Sequence, residues 1–296
     1  MADIKLIDIM TGIQSTSSIH PCPYCNGAKL DKNGRETNGK GTFVKGEPRT
    51  MKNLRENAEE YCTNGLQKRA TLRQFNSVEF PPLFVQPDQE EKLVWEIYPP
   101  PQLHVGVLGP GNDVLQFLEK QFPEFMEEFK NRHHIKGSGP GKTYNGPTLK
   151  RIMENKNGIL EDLEKVLSAG KPEFQLFVKH LQNLGQLNRA VNMKSLDIEL
   201  LRTLISDIEE VFTKLQTHFD ISMPLKMHII IHHYRDYFEQ SGETLLKYTD
   251  EFTESMHSQL RQFEESHHYK NLKFESKSHA EAQNKSIVHI NSLNID

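Results

Sequence analysis

Two cysteines three positions apart, Cys22 and Cys25, stand in a stretch rich in Pro, Asn and Gly, and no second Cys pair exists to answer them. Thiolates at this spacing converge on one Zn²⁺ and leave two tetrahedral positions open. The remaining ligands then have to be histidines, and the candidates are His228, His232 and His233, about 200 residues further on. His228 and His232 are four apart and share a face of a regular helix. His228 and His233 are five apart and can reach one ion only where the helix is distorted or has ended. Either a metal ties the two ends of a very long excursion together, or Cys-Pro-Tyr-Cys is an unliganded turn. A redox role needs a strand-to-helix context, which is missing here.

The pattern along the chain is mainly α-helical with little strand signal. Ile4 to Ile13 has helical spacing of apolar residues, and a polar helix is expected from about Met51 to Gln74. The triple proline Pro99–Pro101 opens a further segment that Gly109-Pro110-Gly111 should break or kink. Residues 15–49 and 137–146 read as Gly-rich loops, and short helices are expected over 148–183. The clearest helix is Ser195 to Phe219, where Leu201, Leu204, Ile205, Ile208, Val211, Phe212 and Leu215 form one stripe. Two more helical segments, Lys226–Gln240 and Glu243 to about His268, are separated by Gly242. The tail from 273 to 296 lacks periodicity and is expected to be disordered.

Charge narrows the function further. With 36 Lys and Arg against 40 Asp and Glu, the polycation classes are excluded. The first residues place charges where a signal peptide needs an apolar run, and no stretch is apolar enough for a bilayer. A cytoplasmic or nuclear protein is expected, with no membrane partner. Residues 129–156 carry seven Lys or Arg against one acid, and 28–73 carry eleven against six, whereas 236–265 carry eight acids against two bases. Two basic regions and an acidic one suit a protein that grips phosphates, with Lys142, Lys150 and Arg151 as DNA contacts, and holds divalent metal elsewhere; the same pattern also serves plain solubility. Ser138-Gly-Pro-Gly-Lys-Thr143 lacks the upstream Gly and strand of a phosphate loop. Glu254 and His257 form a single Glu-x-x-His, where a helical di-iron site needs two.

The order of these features resembles the C-terminal catalytic portion of a DDE transposase with an RNase H-like core, most like the Transib-type transposases and the catalytic subunit of the V(D)J recombinase. Asp3, 19 residues before Cys22 in the strand-like context Ala2-Asp3-Ile4-Lys5-Leu6, is similar to the family's second Asp. Arg49-Thr50, Leu103-His104 and Asn145-Gly146 look like its intermediate landmarks, His228 and His233 like its His-x4-His, and Glu254-Ser255 like its catalytic Glu. The resemblance spans residues 3–265. It implies a structural Zn²⁺ on Cys22, Cys25, His228 and His233, with His232 as substitute ligand. It also implies Mg²⁺ or Mn²⁺ at Asp3 and Glu254 if that site is complete, Arg49 on DNA, and a nuclear location.

The implied division is a remnant of the RNase H-like core at 1–20, a helical zinc-binding insertion at 21–235, a helix carrying Glu254 at 236–272, and the tail. The family's first Asp should precede Asp3, so the expectation is a transposable-element-derived chain, truncated and inactive alone. A homodimer or a second chain supplying the missing core are the partners this implies. The alternative is a non-enzymatic, zinc-stabilised helical protein that binds DNA or another protein.

Overall fold

The computed structural model describes residues 4–13, 18–37, 39–63, 76–78, 81–82, 86–101, 109–135, 137–138, 143–168 and 172–245. These lie within one unit, Met1–Thr249. They are mostly helical, as the periodicity implied: α1 (Ile4–Thr11), α2 (Met51–Thr63), α3 (Val94–Ile97), α4 (Gly109–Gln121), α5 (Pro123–Arg132), α6 (Gly146–Met153), α7 (Ile159–Ser168), α8 (Gln175–Val191) and α9 (Ile198–Phe219). A last helical run joins α10 (Leu225–His228), a π-helical turn (Ile229–Tyr234) and α11 (Arg235–Ser241).

Strand structure among the described residues is confined to two short antiparallel hairpins, β1 (Lys29–Leu30) with β2 (Thr42–Phe43), and β3 (Gly137–Ser138) with β4 (Thr143–Tyr144). Both fall in segments that composition alone reads as loop. In the first, the Asp31 carboxylate accepts from the Asn33 and Arg35 amides and closes a tight turn that Gly34 completes at φ 72°.

α8 is the hub. It packs against α9 most extensively, and also against α4, α6 and α7. Eleven of its seventeen residues are buried, around more than one face, so this helix is enclosed rather than amphipathic. Gly185 permits the α6 contact, because a Cβ there would lie 2.2 Å from the Met153 carbonyl oxygen, which is backbone and cannot yield. Gly185→Ala is therefore expected to destabilise the protein by about 1–3 kcal/mol through overpacking. An unchanged denaturant midpoint would show that the two helices separate freely.

α9 carries the stripe read from sequence. Asp197 caps it by accepting from the Leu200 amide at 3.0 Å, and Asp220 ends it at φ 50°. Phe177 of α8 packs 4.9 Å from both Phe117 of α4 and Phe219 of α9, tying three helices together.

Several expectations are corrected. Gly109-Pro110-Gly111 opens α4 instead of breaking a helix, since a proline in the first turn gives up an N–H that has no intrahelical partner there. Ile4-Lys5-Leu6 is helical, so the strand-like setting expected beside Asp3 is absent. Ile7 and Asp8 are buried on this helix, and its apolar spacing outweighs the local β-propensity. One continuous core among the described residues runs from Ile7 through Cys22 to Tyr237 and Leu245. The expected helix over 243–268 and the tail lie outside the described residues beyond Leu245. No helix among the described residues is long and apolar enough to cross a membrane.

Candidate metal centre

Cys22 and Cys25 sit in the buried loop after α1, while His228 immediately precedes the π-helical turn and His233 lies within it. In a regular helix, successive side chains turn by about 100°, so residues five apart point about 140° away from each other. A π-turn closes i to i+5 and stacks such residues instead. That is the distortion the His228–His233 spacing requires. The two Nε2 atoms come within 3.2 Å of each other.

The sulfurs complete the set. Cys22 Sγ lies 3.3 Å from His233 Nε2, Cys25 Sγ lies 3.4 Å from His228 Nε2, and the four ligand atoms all lie within 4.8 Å of one another. With Zn–N near 2.05 Å and Zn–S near 2.3 Å, a tetrahedron has N···N edges of about 3.3 Å and S···N edges of about 3.5 Å. The donor set and its spacing fit one Zn²⁺, with every position taken by protein. A closed Cys₂His₂ shell is a structural site, not a catalytic one.

No family model matches this sequence, and no curated protein matches it significantly.

Electrostatics favours a cation. Burial pushes the Cys22 thiol well above its usual pKa, while the hydrogen bond from Cys22, then those from His228 and His233, hold Cys25 far below the ordinary thiol range. A divalent ion stabilises both sulfurs as thiolates. The Gly27 amide donates to Cys25 Sγ at 3.4 Å. A Cβ at Gly27 would fall 2.1 Å from the Val44 carbonyl oxygen, so only glycine lets the β1–β2 hairpin pass so close to the cysteine loop. The ring of Phe43 packs 5.1 Å from His228 and that of Tyr24 5.5 Å from His233, sealing the site from water. Asp236, ion-paired with Lys45 at 2.8 Å, lies 3.9 Å from His233 Nδ1, beyond hydrogen-bond distance.

Of the histidine candidates, His232 is outside the cluster. Its ring packs edge-on against His228 at 4.9 Å, and burial pushes its pKa down to about 4, so it remains neutral beside the site. His233→Ala is expected to abolish zinc retention and His232→Ala to preserve it. Metal analysis after dialysis distinguishes them, and zinc loss from the His232 variant alone would reverse the assignment.

Arg49, expected on DNA, is 2% exposed. Its Nε donates to the carbonyls of Cys22 at 3.0 Å and Cys25 at 2.9 Å, and its Nη2 to those of His20 at 3.2 Å and Asn76 at 2.8 Å. Desolvation lowers its pKa to about 10, against the countering charges of Cys22, Cys25 and Asp8, so it remains a cation. This side chain shapes the cysteine loop from behind and is not available to a phosphate backbone. The sequence offered no sign of it beyond a lone Arg in a basic stretch.

Several bases of the 129–156 stretch, which contains the expected DNA contacts Lys142, Lys150 and Arg151, are held by neighbouring groups. Arg151 donates to the His133 carbonyl at 2.8 Å, Lys130 pairs with Glu119 at 2.7 Å, and Lys156 pairs with Glu154 at 3.1 Å. Lys150 is half-buried on α6. Lys142, Asp3, Glu254 and His257 lie outside the described residues, as does Leu103-His104. Asn145 caps α6, accepting from the Thr148 amide at 2.9 Å, which accounts for Asn145-Gly146 as a helix start.

Proposed function

We propose that the chain is the zinc-clasped helical portion of a DDE-type DNA strand-transfer protein, with Zn²⁺ structural and Asp3 and Glu254 as its metal-binding carboxylates. The ligand set carries this reading. Cys22 meets His233 across 211 residues and Cys25 meets His228 across 203, with the four residue types in the order the resemblance implies. Two-metal phosphoryl transfer needs carboxylates gathered on Mg²⁺ or Mn²⁺ to activate one oxygen and stabilise another. A clasp between residues near the two ends of the helical excursion is a physical means of bringing Asp3 towards Glu254. A DNA partner and a nuclear location follow from the same reading.

A second reading, a non-enzymatic zinc-stabilised protein, is favoured by the buried Arg49 and by the ion pairs of Lys130, Arg132 and Lys156. A Mn²⁺-dependent nicking assay on supercoiled DNA separates the two, with Glu254→Gln as control. Nicking that disappears in the Glu254→Gln variant supports strand-transfer chemistry. Zinc-loaded protein that binds DNA without nicking it supports the second reading, and protein that does neither removes DNA from both.

A further inference from the structure

A cavity of about 490 Å³ lies between α4, α8, α9 and the segment leading into the π-turn. It has the volume of a small-molecule site, and its walls are mainly apolar, with Phe117, Phe177, Phe212, Leu215 and Met227 prominent. One wall residue is out of keeping with these. His180 on α8 is 0% exposed, and neither ring nitrogen has a hydrogen-bond partner among the described residues. Its ring lies 5.5 Å from that of Phe212, a contact that satisfies neither nitrogen. Burial lowers the His180 pKa to about 4, so at neutral pH the imidazole is uncharged, with one donor and one acceptor. Buried polar groups are almost always paired, because leaving one unpaired is costly. The ring has no water to give up, so a ligand group that slips between the wall side chains gains the hydrogen bond undiminished by that exchange.

Charge at the mouth does not select a sign. Asp113 on α4 is exposed and lies in the field of Lys226. Lys40 pairs with Asp220 at 2.7 Å. Lys29 has no acid partner among the described residues; it donates to the Gly39 carbonyl at 2.9 Å and lies over the Phe43 ring. Acid and base therefore stand together at the opening, and a ligand of either sign would meet a like charge. Further in, the walls present apolar surface and one neutral imidazole. What fits is a ligand without charge.

We propose that this cavity binds a small neutral hydroxyaryl compound, its ring among the phenylalanines and its hydroxyl on His180. The aromatic walls supply offset and edge-on ring contacts. A hydroxyl both donates and accepts, so it pairs with whichever nitrogen faces it, protonated or bare.

Four probes test this, titrated by calorimetry into the full zinc-loaded chain: 4-ethylphenol, ethylbenzene, tyramine and 4-hydroxyphenylacetate. 4-Ethylphenol is expected to bind about tenfold more tightly than ethylbenzene, the effect of one hydrogen bond. Tyramine and 4-hydroxyphenylacetate, which keep the ring and hydroxyl but add a positive or a negative charge, should bind less tightly than 4-ethylphenol. His180→Phe replaces an unpaired polar ring with an apolar one of similar shape, a change that a core tolerates. It should retain zinc and ethylbenzene binding while abolishing the preference for 4-ethylphenol. In the wild-type chain, the ring-nitrogen NMR signals of His180 should move with 4-ethylphenol and stay in place with ethylbenzene, a readout that needs no variant. No binding of 4-ethylphenol at millimolar concentration overturns the proposal. So does tighter binding of either charged probe, a preference for 4-ethylphenol that survives His180→Phe, or His180 signals that do not respond to it.

Discussion

Stripping the metal with a strong chelator is expected to unfold this protein or leave it without a cooperative transition. Cys25→Ser should do the same without chelator. A Zn²⁺ held by Cys22 and His233 closes a loop of 211 residues. On the scaling used for covalent cross-links, that constraint on the unfolded chain is worth about 5 kcal/mol. Losing the ion also leaves four converging ligand atoms in a site sealed from water, where two sulfurs and two imidazoles repel or stay unsatisfied. Native stability is only about 5–15 kcal/mol, so the loss is of the same order as the whole. Cys62→Ser is the control, because Cys62 is exposed and outside the cluster. Thermal unfolding with and without 1,10-phenanthroline, alongside zinc quantification, reads the result. A chelated protein with an unchanged transition would show that the clasp contributes nothing to stability.

Arg49→Met should be nearly as damaging, lowering stability by about 3–5 kcal/mol and speeding zinc release. The guanidinium serves four carbonyls that have turned inward around the cysteine loop. Removing it strands those acceptors in the core and removes the positive charge that faces Cys22, Cys25 and Asp8. Arg49→Lys should restore little, since one ammonium cannot reproduce a planar fork that reaches Cys22, Cys25, His20 and Asn76 together. Urea unfolding of the zinc-loaded variants and zinc transfer to a chromogenic chelator report both effects. A DNA-contacting arginine would behave in the opposite way, with stability intact and only DNA affinity reduced, and that outcome would return Arg49 to the surface role the resemblance implied.

How far each residue was legible follows from how local its determinants are. The α9 stripe and its Asp197 cap depend on spacings within one helix, and such patterns survive whatever packs against them. The four metal ligands could be nominated from residue type and spacing, because Zn²⁺ accepts few donor types in few arrangements. Choosing between His232 and His233 was not a local matter, since both lie on the same short segment and the choice turns on whether the helix there is α or π. That switch adds a residue to one turn and persists because the turn is buried: Ile229, Ile230 and Ile231 are within the core. Asp3 and Glu254 lie outside the described residues, and their meeting is a matter for the nicking assay.

What the amino-acid order determined by itself was a mostly helical chain, the run of α9, and a set of thiols and imidazoles able to hold one structural zinc. Only the tertiary structure decided that Arg49 faces inward, that His233 and not His232 joins the cluster, and that the buried His180 ring has no hydrogen-bond partner among the described residues. The physical reason is range. Periodicity and capping act over one or two turns of helix, whereas the environment of a charge is set by chain segments dozens to hundreds of residues away, and no local pattern records which of them will arrive.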